Sequence, residues 1–160
     1  MNSVADYTDP SLIVPLLRSR DAAAVTAELC STLQRQGRIN DLLPFHHAVI
    51  THESVSGTVI SPGWALPHAR LAGIAGLTFA LGRTAEPLAW FGGEPVCMVF
   101  LFAVPESEAM AYLSLIAGLA RLGQDRLRLE RLGDAPDSLT MFEVLREIPL
   151  PKRTAAAVKV

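Results

Sequence analysis

The 160-residue sequence contains only two cysteines, Cys30 and Cys97, far apart and in no CxxC pair. That excludes a disulfide framework and a zinc ribbon, both of which need cysteines at close, repeated spacing. Charge of one sign is scarce too: 14 Lys and Arg against 16 Asp and Glu leave a formal net charge of −2. A nucleic-acid partner needs a surplus of cations on one face, so none is expected. Arg126, Arg128 and Arg131 cluster, but Asp125, Glu130 and Asp134 interleave with them, the pattern of a solvated helix face. Long apolar runs are also missing. The longest, 96–104, is nine residues, whereas a membrane span needs about 20. It reads as a buried strand, and no membrane insertion is expected. Residues 1–10 lack the apolar segment and cleavage site of a signal peptide, so a cytoplasmic location is expected.

Signatures of nucleotide and hydrolase chemistry are absent as well. There is no GxxxxGK[ST], no GxGxxG after a strand and no GxSxG, and Ser61-Pro62-Gly63 lacks the strand–turn–helix context of a nucleophile elbow. Of the four histidines, His46 and His47 are adjacent and His52 follows five residues after His47. Two helical metal ligands sit three or four residues apart to share a face, so this spacing argues against a metal. Neither a metal nor a cofactor is expected.

What is present is a core. Half of the residues are apolar and 19% are charged, which describes one folded domain over 1–160. Its core is expected over about 10–148, with 149–160 a loosely held tail. After a lead-in over 11–17, Ser19 or Asp21 caps a helix in which Val25, Leu29 and Leu33 recur, ending at Gly37. Asn40 or Asp41 caps a second, with Pro44 in its first turn and Phe45, Ala48 and Val49 facing inward. Residues 57–70 are punctuated by Gly57, Pro62, Gly63 and Pro67, a loop with short extended pieces. Strands follow over 77–82 and 95–104, the second apolar almost throughout, as in a strand covered on both faces. Met110, Leu113, Ile116, Ala117 and Ala120 form a helical stripe ending at Gly123, and Leu127, Leu129 and Leu132 a short helix. A last helix, from Asp137 or Ser138, is expected to bury Leu139, Phe142, Leu145 and Ile148. Helices on both sides of a central strand predict a three-layer α/β/α sandwich. Trp64, Trp90 and Phe91 are expected in or beside the core, the latter two in a turn between strands.

His68 stands apart from the other histidines. In Trp64-Ala65-Leu66-Pro67-His68-Ala69-Arg70 an apolar extended piece ends at a proline and then presents an imidazole. Pro67 fixes its own φ and biases Leu66 towards an extended conformation. If the backbone stays extended, Arg70 leaves on the same face as His68, where its cation would stabilise a phosphoryl group or another dianion. On pattern alone the ring is either reactive or structural.

The segment His52-Glu53-Ser54-Val55-Ser56-Gly57-Thr58-Val59-Ile60-Ser61-Pro62-Gly63-Trp64-Ala65-Leu66-Pro67-His68 resembles, without gaps, a stretch shared by the type 2 enzyme IIA domains of the bacterial phosphotransferase system, the mannitol/fructose and nitrogen-regulatory group. That stretch reads roughly R-E-x-x-G-S-T-G-I-G-x-G-I-A-I-P-H. Glu94-Pro95-Val96, Phe102-Ala103-Val104-Pro105, the leucines from Leu113 and the 139–148 helix resemble later family segments in the same order. The resemblance implies a mixed sheet flanked by helices on both faces. It implies that His68 accepts a phosphoryl group from a phosphocarrier protein of the HPr type, and that a IIB domain or a regulatory target is the next partner. The nitrogen-regulatory branch is favoured over sugar transport, because no fused IIB or IIC segment accompanies the domain. Thr58 matches the family's threonine, whose hydroxyl or neighbouring amides would bond the phosphoryl oxygens.

The departures concentrate at the same place. His52 stands where the family has arginine, and it is a weaker, pH-dependent cation. Val59 and Ser61 replace loop glycines that would allow positive φ, and Pro62 removes an N–H donor. Tyr112 stands where the family has a second histidine, and can donate a hydrogen bond to His68 or a phosphoryl oxygen. Two expectations follow. Either His68 is phosphorylated in a pocket built from Thr58, Arg70, His52 and Tyr112, or the domain is a degenerate, unphosphorylated module that binds regulatory partners. The loop over 57–63 discriminates them, by converging amides on His68 or by covering it.

Overall fold

The structure is a computed structural model and describes residues 3–151. Most of the expected tail therefore lies outside the described residues. The described residues form six strands: β1 (Ile13–Val14), β2 (Val59–Ile60), β3 (Trp64–Ala65), β4 (His68–Leu71), β5 (Thr78–Ala89) and β6 (Pro95–Pro105). The α-helices are α1 (Ala22–Arg35), α2 (Leu42–Val55), α3 (Ala109–Leu122), α4 (Arg126–Asp134) and α5 (Ser138–Arg146).

The strands make one mixed sheet in the order β1-β5-β6-β3-β2, with β4 also on β6, in line with β3. β5 and β6 form a long antiparallel hairpin, while β1 is parallel to β5 and both β3 and β4 are parallel to β6. Along β6 the side chains alternate between two cores. Met98, Phe100, Phe102 and Val104 pack with α3, α4 and α5. Val99, Leu101 and Ala103 pack with α1 and α2. This is the period-two consequence of a strand covered on both faces, and the result is the expected three-layer sandwich. No helix among the described residues is long and apolar enough to cross a membrane.

Local chemistry sets the helix starts. Asp21 caps α1 by accepting from the amide of Ala24, Asp125 caps α4 through Arg128, and Asp137 caps α5 through Thr140, each answering an amide without an intrahelical partner. Asp41 holds the cap position of α2 without a side-chain bond. Of α2's expected inner face, Phe45 and Val49 are buried and Ala48 half-buried. Gly37, at φ 71°, ends the first helical segment in the conformation glycine tolerates.

Three expectations need correction. The core begins before residue 10: Val4, Ala5 and Tyr7 are buried, and the Val4 amide donates to the Ile148 carbonyl at 3.0 Å. This segment packs against α3 and α5, whose composition alone gives no sign of a partner so distant in sequence. α3 faces inward through Leu115, Gly118, Leu119 and Leu122, leaving Met110 and Leu113 exposed. α3 is apolar nearly all round, so several stripes fit its period, and the close approach of Val4 to Gly118 selects one. α5 buries Met141, Val144, Leu145 and Ile148, while Leu139 is exposed and Phe142 half-buried. On α4, Leu132 is buried but Leu127 is exposed.

Candidate functional site

Among the described residues, β4 is bonded on one side only, to β6. The Phe102 amide donates to the Pro67 carbonyl at 3.0 Å, which locks the backbone one residue before His68. His68 then lies opposite Phe102 and Arg70 opposite Val104. Between them Ala69 is buried in the α1/α2 core. By alternation His68 and Arg70 leave on the α3 face, and Arg70 is exposed there. The extended backbone thus places the arginine as expected.

The unpaired flank of β4 is where the two helical layers meet. From the last turn of α2, the His52 ring meets the His68 ring edge-on, with centroids 5.0 Å apart. From the first turn of α3, the Tyr112 ring lies 5.2 Å from His68 on its other side. Tyr112 is in turn braced edge-on by Phe102 at 5.4 Å. His68 is half-buried, with its Nδ1 enclosed and without a hydrogen-bond partner of full geometry. Nε2 is left as the nitrogen a donor can reach.

Burial holds the His68 ring below its ordinary value of 6.5, and the neighbouring His52 and Arg70 act in the same direction. Glu53 and the Leu66 backbone oppose them without reversing the outcome. The ring is therefore neutral at pH 7, the form with a free lone pair. Burial, reinforced by Glu53, pushes the Tyr112 hydroxyl up to about 12, so it remains a hydrogen-bond donor throughout the physiological range.

Glu53 was not among the residues expected at the site. It is only 1% exposed. Its Oε1 accepts from the Thr58 hydroxyl at 2.8 Å. Its Oε2 accepts from the Thr58 amide at 3.3 Å and the Trp90 indole at 2.8 Å. It also lies 3.8 Å from Nδ1 of His52. The sequence does carry a signal: Glu53 continues the buried line of Phe45 and Val49 at four-residue spacing, and a carboxylate on an apolar stripe needs donors. Those donors have a consequence for Thr58. Its hydroxyl, one of the expected phosphoryl contacts, donates to Glu53, and so does its own amide.

The loop over 57–63 resolves differently from either alternative. Val59 and Ile60 pair antiparallel with Ala65 and Trp64, and the Gly63 amide donates to the Ile60 carbonyl at 3.0 Å. Val59 needs no positive φ, because it lies in a strand; the left-handed position is taken by Gly63, at φ 102°. Trp64 is level with Met98 on β6 and His68 with Phe102, so the hairpin tip lies more than about 13 Å along the sheet from the His68 backbone. The tip therefore lies away from His68, whereas Thr58 at the start of the segment accepts through its carbonyl from the Leu66 amide at 2.9 Å, two residues before the ring. Among the described residues, the His52 and Tyr112 rings flank His68, and Arg70 acts on it through its charge.

Trp64 and Trp90 are buried, as expected, and Phe91 is half-buried. Among the described residues, no group of three His, Cys, Asp or Glu side chains is placed to hold a metal ion.

Residues 6–148 match the family model described as phosphoenolpyruvate-dependent sugar phosphotransferase system, EIIA 2. The chain is similar to a nitrogen regulatory protein of Bradyrhizobium diazoefficiens, 26% identical over 155 residues that span 96% of this chain and 99% of that protein. It is also similar to the fructose-specific EIIABC component of Bacillus subtilis, 29% identical over 108 residues, 66% of this chain but only 17% of that much longer protein. In structure it is similar to the nitrogen regulatory protein IIA-Ntr of Neisseria meningitidis, with a TM-score of 0.76 at 23% identity, covering 89% of this chain and 98% of that one.

Proposed function

The chain belongs to the EIIA 2 family of the phosphoenolpyruvate-dependent sugar phosphotransferase system, and from that premise we propose that it is a cytoplasmic phosphocarrier that takes a phosphoryl group on His68 from a phosphorylated HPr-type protein. The observation that carries this reading is the state of His68: half-buried, favoured as neutral imidazole, and flanked by Arg70, His52 and Tyr112 on the open flank of β4. In the transfer, the Nε2 lone pair forms a bond to phosphorus as the P–N bond to the donor's imidazole breaks, and the electron pair of that bond returns to the donor ring. Such a step needs alignment and charge neutralisation more than covalent help. Arg70 supplies a permanent cation on the face of β4 that His68 occupies, and Tyr112 a neutral donor. The phosphoryl group would pass on to a IIB domain or alter binding to a regulatory target. The similarity to the Bradyrhizobium nitrogen regulatory protein along 96% of this chain supports a nitrogen-regulatory role, while the fructose-specific EIIA component of Haloferax volcanii, 27% identical along 89% of this chain, keeps a sugar-transport role beside it.

A second reading has its own support. Thr58 spends both donors on Glu53, and the Gly63 amide bonds within the β2–β3 hairpin, which takes these donors away from a phosphoryl group. On that reading the domain binds a regulatory partner without being phosphorylated. Incubation with phosphoenolpyruvate, enzyme I and HPr, followed by intact-mass measurement of wild type and His68→Ala, separates the two. An adduct of one phosphoryl group in wild type alone is the expected result. A folded wild type that stays unmodified selects the binding module.

A further inference from the structure

Among the groups around His68, His52 differs from the rest in being able to change its charge near neutral pH. We infer that His52 takes up a proton from solvent when His68 becomes phosphorylated, so that this chain couples phosphoryl transfer to the binding of one proton. The inference rests on the phosphocarrier reading above and concerns how that site is regulated.

The geometry selects His52 by elimination among the groups that face the site. Arg70, on β4, is a permanent cation and has no proton to gain. Tyr112, on α3, keeps its proton and can only donate. Glu53, beside His52 on α2, is enclosed and accepts from Thr58 and Trp90. On α1, which packs along α2, the charged residues are Glu28 and Arg35. Glu28 is bonded to the amides of Arg18 and Ser19, and Arg35 to Thr32. In His68 itself the neutral acceptor ring already carries its one proton on the enclosed Nδ1 when Nε2 attacks.

His52 is 48% exposed in its side chain, and its ring centroid is 5.0 Å from that of His68. A proton can reach it from water, and a dianion added to the neighbouring ring lies within the distance at which opposite charge favours the protonated imidazole. Before transfer, the neighbouring His52 disfavours protonation of His68, and the Glu53 carboxylate lies 3.8 Å from Nδ1 of His52. After transfer, the cation on His52 offsets the phosphoryl charge. The phosphorylated state should therefore be held more tightly as pH falls through the range in which imidazoles take up a proton.

The test mixes wild type, His52→Arg and His52→Gln with HPr that has been phosphorylated and freed of phosphoenolpyruvate. The equilibrium extent of phosphorylation is then read by intact mass from about pH 6 to about pH 8.5, the span over which histidines titrate. Taking each ratio to His52→Arg cancels the donor's own pH dependence. The wild-type ratio should fall as pH rises, by up to about tenfold per pH unit for one linked proton, while the His52→Gln ratio stays low and flat. An NMR titration of the His52 ring should show its midpoint moving upward on phosphorylation. Phosphorylated proteins with parallel profiles and a stationary His52 midpoint overturn the inference and leave the phosphocarrier reading standing. Failure of every folded variant to accept phosphate overturns both.

Discussion

The indole N–H of Trp90 donates to Oε2 of Glu53 at 2.8 Å, tying the turn between β5 and β6 to the last turn of α2. Because the same carboxylate holds Thr58, one buried acid fixes three segments: the helix that carries His52, the residue that opens the β2–β3 hairpin, and the far hairpin turn. Burying that charge is tolerable only because each oxygen meets donors.

Removing a single donor should therefore be costly. Trp90→Phe keeps most of the buried ring but leaves Oε2 with the weaker amide contact alone, and should destabilise the fold by about 1–3 kcal/mol. Glu53→Gln turns an amide NH2 group towards donors and should cost a similar amount. In a double-mutant cycle read by urea unfolding, the pair should couple strongly; additive losses would show that the bond contributes nothing of its own.

The depressed pKa of His68 predicts a pH dependence of stability with a definite sign. The unfolded chain protonates this histidine near its ordinary value of 6.5, while the folded chain resists until a lower pH. Between those two points the unfolded state binds more protons, so stability falls as pH falls. The contribution is fully present above about pH 6.5 and is lost through the folded-state value. Urea midpoints at mildly acidic and mildly alkaline pH should differ less in His68→Gln than in wild type. An unchanged difference would show that the ring is as readily protonated in the fold as in the open chain.

The layered architecture and the candidate residue at its centre were both legible from sequence, because each rests on local pattern. The apolar run of β6, the capping aspartates and the proline before His68 announce themselves within a few residues. Which face of α3 turns inward did not, since an almost wholly apolar helix offers several stripes and its choice is made by Val4, more than a hundred residues away. The use of Thr58 was hidden for a related reason. Its partner Glu53 looks like an ordinary charged residue near a helix end until the hairpin turn delivers Trp90 against it. The placement of Val59 in a strand likewise depends on pairing with Ala65, which no local propensity specifies.

Arg83 supplies a second long-range tie. Its guanidinium donates to the carbonyls of Leu132, Gly133 and Ala135 at 2.9, 3.1 and 2.7 Å, and to that of Pro15 at 2.9 Å. It satisfies carbonyls at the C-terminal end of α4, which no helix amide can reach, with the charge sign that end favours. Arg83→Met should preserve the aliphatic stem and lose about 2–4 kcal/mol of stability. Arg83→Lys should recover little, since a single ammonium cannot reproduce the planar fork. Thermal unfolding of the two variants decides the matter, and a lysine protein as stable as wild type would exclude the forked geometry as the cause.

Gly118 sits inside α3, where glycine costs about 1 kcal/mol relative to alanine, yet a Cβ built there would lie 2.9 Å from Cγ2 of Val4. Two effects of similar size oppose each other. Helix propensity favours Gly118→Ala, but Val4 is fully buried, and a β-branched side chain has little freedom to turn aside. Overpacking of this kind costs about 1–3 kcal/mol, so the single substitution should be neutral to destabilising by up to about 2 kcal/mol once the propensity gain of about 1 kcal/mol is deducted. In a Val4→Ala background the obstructing methyl is gone, the new Cβ fills part of the space it left, and the same Gly118→Ala change should become stabilising. Urea unfolding of the four proteins reads the sign directly. Stabilisation in both backgrounds would show that the N-terminal segment yields freely; destabilisation in both would place the obstruction elsewhere, with the Leu150 side chain, 3.5 Å from the same point, as the next group to remove.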